Sequence, residues 1–360
     1  MTTAPVMASP RYPGISPKAY EHPADRAATA ALHSIPVLDT VIKKISELRY
    51  ERAMTQRLLG NAVRLGPGQV PGLWTSWVDC LDSLDVPGRP PLYAIQRPDS
   101  NATTFGSSKP VVMIWSGLVG QLDSEEIRAV LAHEAGHVLS EHSYYMSVLM
   151  ILQRLARAPL SIVGELPVRA LLLVLLEWFR AAELSCDRAS ALVLGDPMVT
   201  CRSLMRMAGG NLPGMSVDAF IAQATEYESS DDLLSKPSRF MSEIASTHPF
   251  PVRRVNELTR WVREGDFDRI RAGSYVRRGQ EPPPSEELKG AAKHYQERFV
   301  AIIDSVSGGV QKLSNQVGDW LRGQGGRFRG GGGRAGGASG GGGSSAGEGG
   351  RAEGGPGPGR

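Results

Sequence analysis

The amino-acid sequence predicts an α+β fold that is mainly helical and contains one small sheet. Several long segments between residues 27 and 321 repeat apolar side chains every three or four positions, which is the period of a helix with one buried face. Only two short runs are typical of buried strands, PPLYAIQ at 90–96 and VVMIWSG at 111–117. A chain of 360 residues can bury a sizeable core without disulfides, so one large domain or two smaller ones are expected.

In the N-terminal third of the chain, the sequence predicts a flexible arm followed by helices and strands. Residues 1–24 are rich in proline and poor in large apolar side chains, which indicates a flexible arm. Residues 27–59 have helical spacing with a break at Pro36, and Trp74 and Trp77 mark one face of a short helix. The two predicted strands follow, separated by the turn-rich stretch RPDSNATTFGSSKP.

The longest helical signal begins at Asp123 or Ser124. Asp123 and Glu126 have the spacing of a capping box, and Ile127, Val130 and Leu131 then form an apolar stripe. The same periodicity predicts further helices over 144–156, 166–194, 196–208, 216–227 and 251–263.

The C-terminal part changes character twice. Residues 281–322 predict an amphipathic helical extension, interrupted at Gly308 and Gly309. Residues 323–360 are rich in Gly, Ser and Arg, and 20 of the 42 glycines fall in the last 40 positions. Such a tail has too little apolar surface to offset the entropy of ordering, so we expect it to be disordered.

Charge, cysteine content and hydropathy limit the classes of function. The net charge is +3, but residues 321–360 hold six Arg and two Glu, so the body is near neutral and no nucleic-acid surface is expected on the folded domain. Three widely spaced cysteines without a CxxC pair indicate reduced thiols and a cytoplasmic location. The N-terminus lacks a secretory signal, and charged residues interrupt the apolar region 146–179, so we expect no membrane-spanning helix.

The residues that indicate chemistry are the HExxH pattern at 133–137. His133 and His137 are four positions apart, so they lie on one face of the predicted helix, where both imidazoles can bind one Zn²⁺. Glu134 follows the first histidine and is angled to face a water at the metal. The alternative is a polar helix face whose histidines meet only solvent.

A catalytic zinc site needs a third protein ligand, and two candidates follow the motif. His142 is five residues beyond His137 and would lie about 140° around a continuing helix, so a surface or core role is expected for it. Glu183 and Asp187 share a helical face, where one carboxylate can bind zinc and the other can hold a zinc-binding histidine. The alternative is an ordinary acidic helix face.

In combination, these motifs resemble the HtpX and CAAX prenyl endopeptidase family of zinc metallopeptidases, which belongs to the gluzincins. The resemblance rests on HEAGH at 133–137, on Glu183 with Asp187, and on Ser246-Thr247-His248-Pro249 followed by Arg254. Asn101-Ala102 is similar to the step beside an edge strand in this family, and Ser116-Gly117-Leu118 to the approach to its catalytic helix. The likeness covers residues 91–258 within an expected metallopeptidase domain of residues 25–280.

The resemblance implies a role for each matching residue. His133, His137 and Glu183 would bind one Zn²⁺ per chain. Asp187 would accept a hydrogen bond from a zinc-binding histidine without binding the metal itself. Glu134 would act as the general base in peptide-bond hydrolysis, and His248 would face the reaction centre as an oxyanion donor. A polypeptide substrate would lie extended along the sheet edge at Asn101 and Ala102. Protein quality control is the process considered for such an endopeptidase.

Two further readings stay open. Many relatives are integral membrane proteins, whereas only 45 residues separate His137 from Glu183 here, so a membrane location does not transfer and peripheral contact by residues 146–179 or 288–321 is considered instead. The main alternative function is a non-proteolytic binding protein, which would use the Arg/Gly tail or the amphipathic helices to contact nucleic acid or a membrane surface. The sequence does not predict an oligomeric state.

Overall fold

The computed structural model describes residues 9–34, 38, 50–106, 109–156, 165–229 and 249–307. These residues form a mainly helical fold around one small sheet, which confirms the predicted fold class. The helices are α1 (Pro23–His33), α2 (Tyr50–Asn61), α3 (Pro71–Ser83), α4 (Ser116–Gln121), α5 (Ser124–Leu139), α6 (Ser143–Ala156), α7 (Glu165–Leu194), α8 (Pro197–Gly209), α9 (Val217–Ser229), α10 (Pro251–Arg263), α11 (Asp266–Arg271) and α12 (Glu286–Ser307).

The sheet has four strands, β1 (Val63–Arg64), β2 (Leu92–Ile95), β3 (Ala102–Phe105) and β4 (Val111–Trp115), in the order β1-β2-β4-β3. Strands β2 and β4 are parallel, while β1 and β3 pair antiparallel with β2 and β4. In the β3–β4 register, Ala102 lies opposite Ile114 and Phe105 lies opposite Val111. Within the described part of the chain, β3 therefore forms an edge of the sheet, and β3 contacts α5 and α6.

Besides a small cluster between α2 and the sheet, two large apolar clusters build the core of the described residues. The larger one joins the sheet, α3, α5, α8 and α10, with Trp77, Leu131 and Trp261 at its centre. The smaller one joins α1, α6, α7 and α12 around Trp178 and Phe299. Helix α7 reaches both clusters, so this long helix ties the two halves of the core together.

Helix α5 is fixed at its N-terminus and crosses α7 closely. The predicted capping box is present, because Asp123 accepts a hydrogen bond from the Glu126 amide while the Glu126 carboxylate accepts one from the Asp123 amide. At Gly136 a Cβ atom would lie only 2.8 Å from the Cβ of Ala189 on α7. The absence of a side chain at this position therefore lets the two helices approach each other.

The prediction of a flexible N-terminal arm is wrong for residues 9–24. Tyr12, Ile15 and Tyr20 are buried in the core, and Ile15 forms a bridge with Arg277. The burial of these residues could not be predicted from the sequence, because the segment is rich in proline and its three large side chains make no periodic pattern. Residues 1–8 lie outside the described part of the chain.

Other sequence predictions differ from the structure in detail. Strand β3 lies inside the stretch that was predicted as turns, and the short helices α4 and α11 were not predicted. The helices expected from residue 144 to residue 263 are confirmed to within two residues at each described end. Helix α12 supports the helical prediction for residues 286–307, and it packs against α1 and α7. Residues 308–322 of the extension and the tail at 323–360 are outside the described residues.

None of the described helices is both long enough and apolar enough to span a lipid bilayer.

Candidate active site

Three potential ligand atoms converge where α5 crosses α7. The Nε2 atoms of His133 and His137 lie 3.1 Å apart. Oε1 of Glu183 lies 3.0 Å from Nε2 of His137 and 3.5 Å from Nε2 of His133. The spacing of four residues on α5 and the close helix crossing at Gly136 bring the three side chains together.

The separations between these atoms match a metal site. Ligands about 2.0–2.1 Å from a tetrahedral zinc ion are separated from each other by about 3.3 Å. The three separations between the atoms of this site, 3.0, 3.1 and 3.5 Å, are close to this value. Two imidazole nitrogens and one carboxylate oxygen are also the ligand types of catalytic zinc sites. The residues present therefore fit a zinc ion and leave room for a fourth, non-protein ligand.

Asp187 and Arg254 form a buried ion pair behind His133. Oδ1 of Asp187 lies 3.1 Å from Nδ1 of His133, and the Arg254 guanidinium donates to both Asp187 oxygens at 2.6 and 2.8 Å. The same guanidinium lies 3.0 Å from Oε2 of Glu183. Burial opposes ionisation of Asp187, but Arg254 outweighs it and holds the pKa of Asp187 below its usual range. Arg254 thus keeps Asp187 ionised and contacts both carboxylates.

Glu134 has a different environment. Its side chain is buried, and its Oε2 accepts a hydrogen bond of 2.6 Å from the Thr104 hydroxyl on β3. Burial raises the pKa of Glu134 to about 7, although the His133 charge and the Thr104 hydrogen bond both favour the ionised form. A carboxyl group of this kind can accept and release a proton near neutral pH.

The two histidines of the pair differ in their affinity for a proton. Burial, supported by the charge of His133, lowers the pKa of His137 to about 4. Burial also works against a charge on His133, but Glu183 and the Asp187 hydrogen bond raise the pKa of His133 to about 9. His137 is therefore neutral near pH 7, and a cation that binds both nitrogens must displace one proton from His133.

A cleft of about 420 Å³ opens at this cluster. Asn101, Ala102 and Thr103 line one wall, next to the ligand atoms. The opposite wall is largely apolar and is formed by Met146, Leu149, Met150 and Phe179. The cleft thus places the edge strand β3, an apolar wall and the polar cluster next to each other.

The open edge of β3 offers backbone hydrogen bonds to a ligand. The Trp115 amide donates to the Asn101 carbonyl at 3.1 Å, and antiparallel hydrogen-bonded pairs alternate along a ladder. By this alternation the backbone groups of Ala102 and Thr104 point away from β4. The Ala102 amide is bonded to the Asn101 side chain at 2.9 Å and Thr104 is fully buried, so an added strand would bond at the Ala102 carbonyl.

His142 is buried beneath His137, which the helical-wheel argument did not anticipate. Helix α5 ends at Leu139, and Glu141 adopts a left-handed conformation with φ of 57°. The His142 amide then donates to the His137 carbonyl at 3.0 Å. The chain therefore turns back, and Nδ1 of His142 lies 3.1 Å from Nδ1 of His137. This position suits a core role and excludes Nδ1 of His142 from the converging ligand atoms.

Cys186 is a further side chain close to the histidine pair. Its sulfur and ligand atoms of His133 and His137 lie within 4.8 Å of one another. The thiol also lies 3.6 Å from Nδ1 of His142, and burial raises its pKa well above the usual value. The Glu183 carboxylate lies within 3.5 Å of both histidine nitrogens and carries a charge that suits a cation, so it is the better candidate for the third ligand.

The structure brings together most of the residues that the sequence indicated. The predicted ligands, the predicted base and the supporting carboxylate meet in one cluster, and the predicted substrate residues line its cleft: His133, Glu134, His137, Glu183, Asp187, Asn101 and Ala102. His248 lies outside the described residues. The sequence analysis missed Thr104 and Asp25, because each reaches the site from another element of the fold. Arg254 entered only as part of a motif.

Comparison with known proteins agrees with this geometry. A sequence model of peptidase family M48 matches residues 75–262, which is more than half of the chain and includes the whole cluster. The plastoglobule-localized metallopeptidase 48, chloroplastic, of Arabidopsis thaliana is 34% identical over 258 residues, covering 69% of this chain and 73% of that protein.

Bacterial relatives are more distant. A protease HtpX homolog of Sulfurihydrogenibium sp. (strain YO3AOP1) is 26% identical over 232 residues, covering 55% of this chain and 77% of the relative. A protease HtpX homolog of Helicobacter pylori (strain Shi470) is 24% identical over 212 residues, covering 51% and 65%. No solved structure gives a significant match. With its fold, the buried HExxH cluster and these relatives, the chain belongs to peptidase family M48 and is a metallopeptidase.

Proposed function

We propose that the protein is a zinc-dependent endopeptidase in which His133, His137 and Glu183 bind one Zn²⁺. The observation that carries this proposal is the convergence of two imidazole nitrogens and one carboxylate oxygen within 3.5 Å of each other, beside the buried carboxyl group of Glu134. Such a site has three protein ligands and an open position, which is typical of catalytic rather than structural zinc.

The residues around the site support hydrolysis with Glu134 as the general base. When bound, zinc supplies a Lewis acid that polarises the scissile carbonyl and makes water acidic enough to attack it near neutral pH. Glu134 accepts the proton of the attacking water and then donates it to the leaving amine. A carboxyl group with a pKa of about 7 suits both steps, because neither protonation state is costly at neutral pH. His248 is proposed as the oxyanion donor on the basis of the sequence motif.

We further propose that the substrate is an extended polypeptide. A substrate strand at the edge of β3 would bond to the Ala102 carbonyl, and Asn101 would flank it. Its scissile bond would then lie next to Glu134, because the Thr104 side chain contacts that residue. Only an unfolded or locally unpaired segment can add as a strand, which fits a role in protein quality control.

A cytoplasmic location remains a proposal that rests on cysteine chemistry. Cys80, Cys186 and Cys201 are all free and buried, as expected for a chain kept in a reducing compartment.

The proposal is tested by metal analysis and a cleavage assay on the same preparations. The wild-type protein should contain one zinc per chain, cleave casein or an unfolded protein, lose activity with a chelator and regain it when zinc is added. Glu134→Gln should keep the zinc and lose cleavage by at least about 10²-fold, since the base is not a ligand. Cleavage by Glu134→Gln at the wild-type rate would refute the mechanism, and a wild-type protein without bound metal would refute the zinc site.

A further inference from the structure

The zinc ligand His137 is the first member of a buried chain of polar side chains that leads away from the site. Nδ1 of His137 lies 3.1 Å from Nδ1 of His142, and Nε2 of His142 lies 3.2 Å from Oδ2 of Asp25. All three side chains are at most 3% exposed. Since solvent does not reach these groups, each must satisfy its hydrogen bonds within the chain.

We propose that Asp25 and His142 position His137 for metal binding, which is an inference that rests on the proposed zinc site. His142 and Asp25 would do for His137 what Asp187 does for His133 by direct contact. In this arrangement, Nδ1 of each zinc-binding imidazole is linked to a carboxylate. His133 contacts Asp187 directly, whereas His137 is linked to Asp25 through the imidazole of His142.

The proton positions follow from the chemistry of the metal site. His137 binds a metal through Nε2 only when that atom carries no proton, so Nδ1 carries the proton and donates to Nδ1 of His142. His142 must then carry its own proton on Nε2, which it donates to the Asp25 carboxylate. One tautomer therefore satisfies every group in the chain, and Asp25 selects it.

Asp25 is itself held in place by two hydroxyl groups. Ser185 on α7 donates to Oδ2 of Asp25 at 2.5 Å, and Thr29 on α1 donates to Oδ1 at 3.2 Å. The Thr29 hydroxyl also accepts a hydrogen bond of 2.8 Å from the Trp178 indole. The carboxylate therefore has a fixed orientation, which a positioning role requires.

The backbone fixes His142 as firmly as the side chains fix Asp25. The Glu141 amide donates to the Val138 carbonyl at 3.2 Å, and the His142 amide donates to the His137 carbonyl at 3.0 Å. With Glu141 in the left-handed region, these two bonds form a Schellman motif at the end of α5. This motif places the residue after the turn next to the residue one turn before the helix end, here His142 next to His137.

A second metal ion is the competing explanation for this cluster. Ligand atoms of Glu21, Asp25 and His142 all lie within 4.8 Å of one another. In that case Nε2 of His142 would bind a cation instead of donating to Asp25. The hydroxyl donor at 2.5 Å on the same Oδ2 atom favours the hydrogen-bonded arrangement, because that oxygen already accepts two donors. The number of zinc ions per chain distinguishes the two explanations.

The test measures zinc affinity by competition with a chromophoric chelator, for the wild-type protein and three variants. His142→Leu removes the acceptor for His137 and should weaken zinc binding by about 10 to 100-fold. His142→Asn can place an amide oxygen where Nδ1 lies and should recover most of this loss. Asp25→Asn keeps an acceptor for His142 but removes its charge, so its affinity should fall between the wild-type value and that of His142→Leu.

Two further measurements separate positioning from a general structural role. The d–d absorption of the Co²⁺-substituted protein should change in His142→Leu and stay like the wild type in His142→Asn, because the spectrum reports the ligand field at His137. His33→Leu is the matched control. It removes an imidazole that hydrogen-bonds to Tyr145 on α6 at 3.3 Å and does not belong to the polar chain from His137 to Asp25. It should leave both the affinity and the spectrum unchanged.

The possible outcomes are distinct. Wild-type zinc affinity in His142→Leu would overturn the inference while leaving the proposed function intact. Equal losses in His142→Leu and His142→Asn, with matching drops in the melting temperature of the metal-free proteins, would show that His142 only supports the fold. Two zinc ions per wild-type chain, one of them lost in Asp25→Asn, would establish a second metal site instead. A wild-type protein that binds no zinc would refute the proposed function and this inference together.

Discussion

Two buried carboxyl groups near the ligand atoms have opposite surroundings, and this difference suggests their roles. Asp187 bonds to Arg254 at 2.6 and 2.8 Å, and its pKa stays below the usual range. Among the described residues, Glu134 has only the Thr104 hydroxyl as a close donor at 2.6 Å, and burial raises its pKa to about 7. Asp187 can therefore only accept hydrogen bonds, whereas Glu134 can exchange a proton near neutral pH.

Thr104→Val should change the pH dependence of peptide hydrolysis. The Thr104 hydroxyl stabilises the ionised form of Glu134, so its removal raises the pKa of Glu134. The active base is the ionised form, and it would be lost at a higher pH as the solution is acidified. The acidic limb of the kcat/KM profile should move upward by about one to two pH units, because a hydrogen bond to a charged group contributes about 1.5–3 kcal/mol. Thr103→Val, on the same strand, should leave the limb in place. A limb unmoved by Thr104→Val would contradict the assignment of Glu134 as the titrating base.

Substitutions of Glu183 and Asp187 should separate a ligand from its support. Glu183→Ala removes a proposed ligand and should abolish stoichiometric zinc binding. Asp187→Asn should weaken zinc affinity by about 10 to 100-fold, because the amide can still accept from Nδ1 of His133 but carries no charge. Zinc titrations of both variants check this order. Retention of zinc by Glu183→Ala, together with its loss from Asp187→Asn, would reverse the two roles.

The sequence predicts those site residues that lie on the same helix as another residue of the site. HExxH and the Glu183-Asp187 pair are each four residues apart, so helical geometry alone puts each pair on one face. Thr104 and Asp25 come from elements distant in the sequence, and no local pattern links them to the site. The burial of His142 agrees with the surface or core role expected for it, but its contact with His137 was not predicted because helix α5 was assumed to continue. The end of that helix has Glu141, rather than glycine, in the left-handed position, so the usual stop signal is absent.

Among the secondary-structure elements, α5 determines the geometry of the site. Its capping box fixes the N-terminus, its Schellman motif fixes the C-terminus, and Gly136 allows the close contact with α7 between them. The two proposed zinc histidines lie in the last two turns of this helix. Small displacements of α5 relative to α7 would therefore change the distance between the histidines and Glu183.

Gly136→Ala should reduce both stability and zinc affinity. An added Cβ would lie 2.8 Å from the Ala189 Cβ and 3.3 Å from the Cys186 Cα, so α5 and α7 must move apart. Overpacking of this kind typically costs about 1–3 kcal/mol. Gly120→Ala is the matched control, because no atom lies within 4 Å of a Cβ at that helical position. Melting temperatures and zinc titrations of both variants test this. An unchanged melting temperature and zinc affinity in Gly136→Ala would show that the crossing tolerates a methyl group.

Elements formed by interactions between residues close in the sequence were predicted, whereas elements formed by distant residues were not. The long helices were predicted because periodicity and capping residues are local signals. Strand β3 was assigned to turns because the segment from Asn101 to Phe105 is short and polar, and it becomes a strand through its pairing with β4. The resemblance to a known family indicated an edge strand there when the composition did not.

At the scale of the whole molecule, the N-terminal segment and α12 enclose the catalytic helices. Tyr12, Ile15 and Tyr20 are buried, and α1 and α12 pack against each other and against α7. Through Asp25, α1 also reaches the proposed zinc ligands. The described part of the predicted arm is thus packed in the core, and α1, which follows it, is connected to the active site.

Deletion of residues 1–20 should destabilise the protein, whereas a chain that ends at Gln324 should remain stable. The N-terminal deletion removes three buried side chains, each of which contributes about 1.5–3 kcal/mol. The C-terminal truncation removes mainly Gly, Ser and Arg, and Phe328 is its only large apolar side chain, so it offers too little apolar surface for a core. Thermal unfolding of both proteins makes the comparison. An N-terminal deletion with the melting temperature of the full chain would contradict the observed packing.

The central claim is that two histidines and one glutamate hold the zinc ion, and X-ray absorption at the zinc edge of the purified protein tests it most directly. We predict a shell of nitrogen and oxygen ligands at about 2.0–2.1 Å, with the scattering pattern of two imidazoles and no sulfur. A sulfur ligand at about 2.3 Å would contradict the claim, because it would assign Cys186 in place of Glu183.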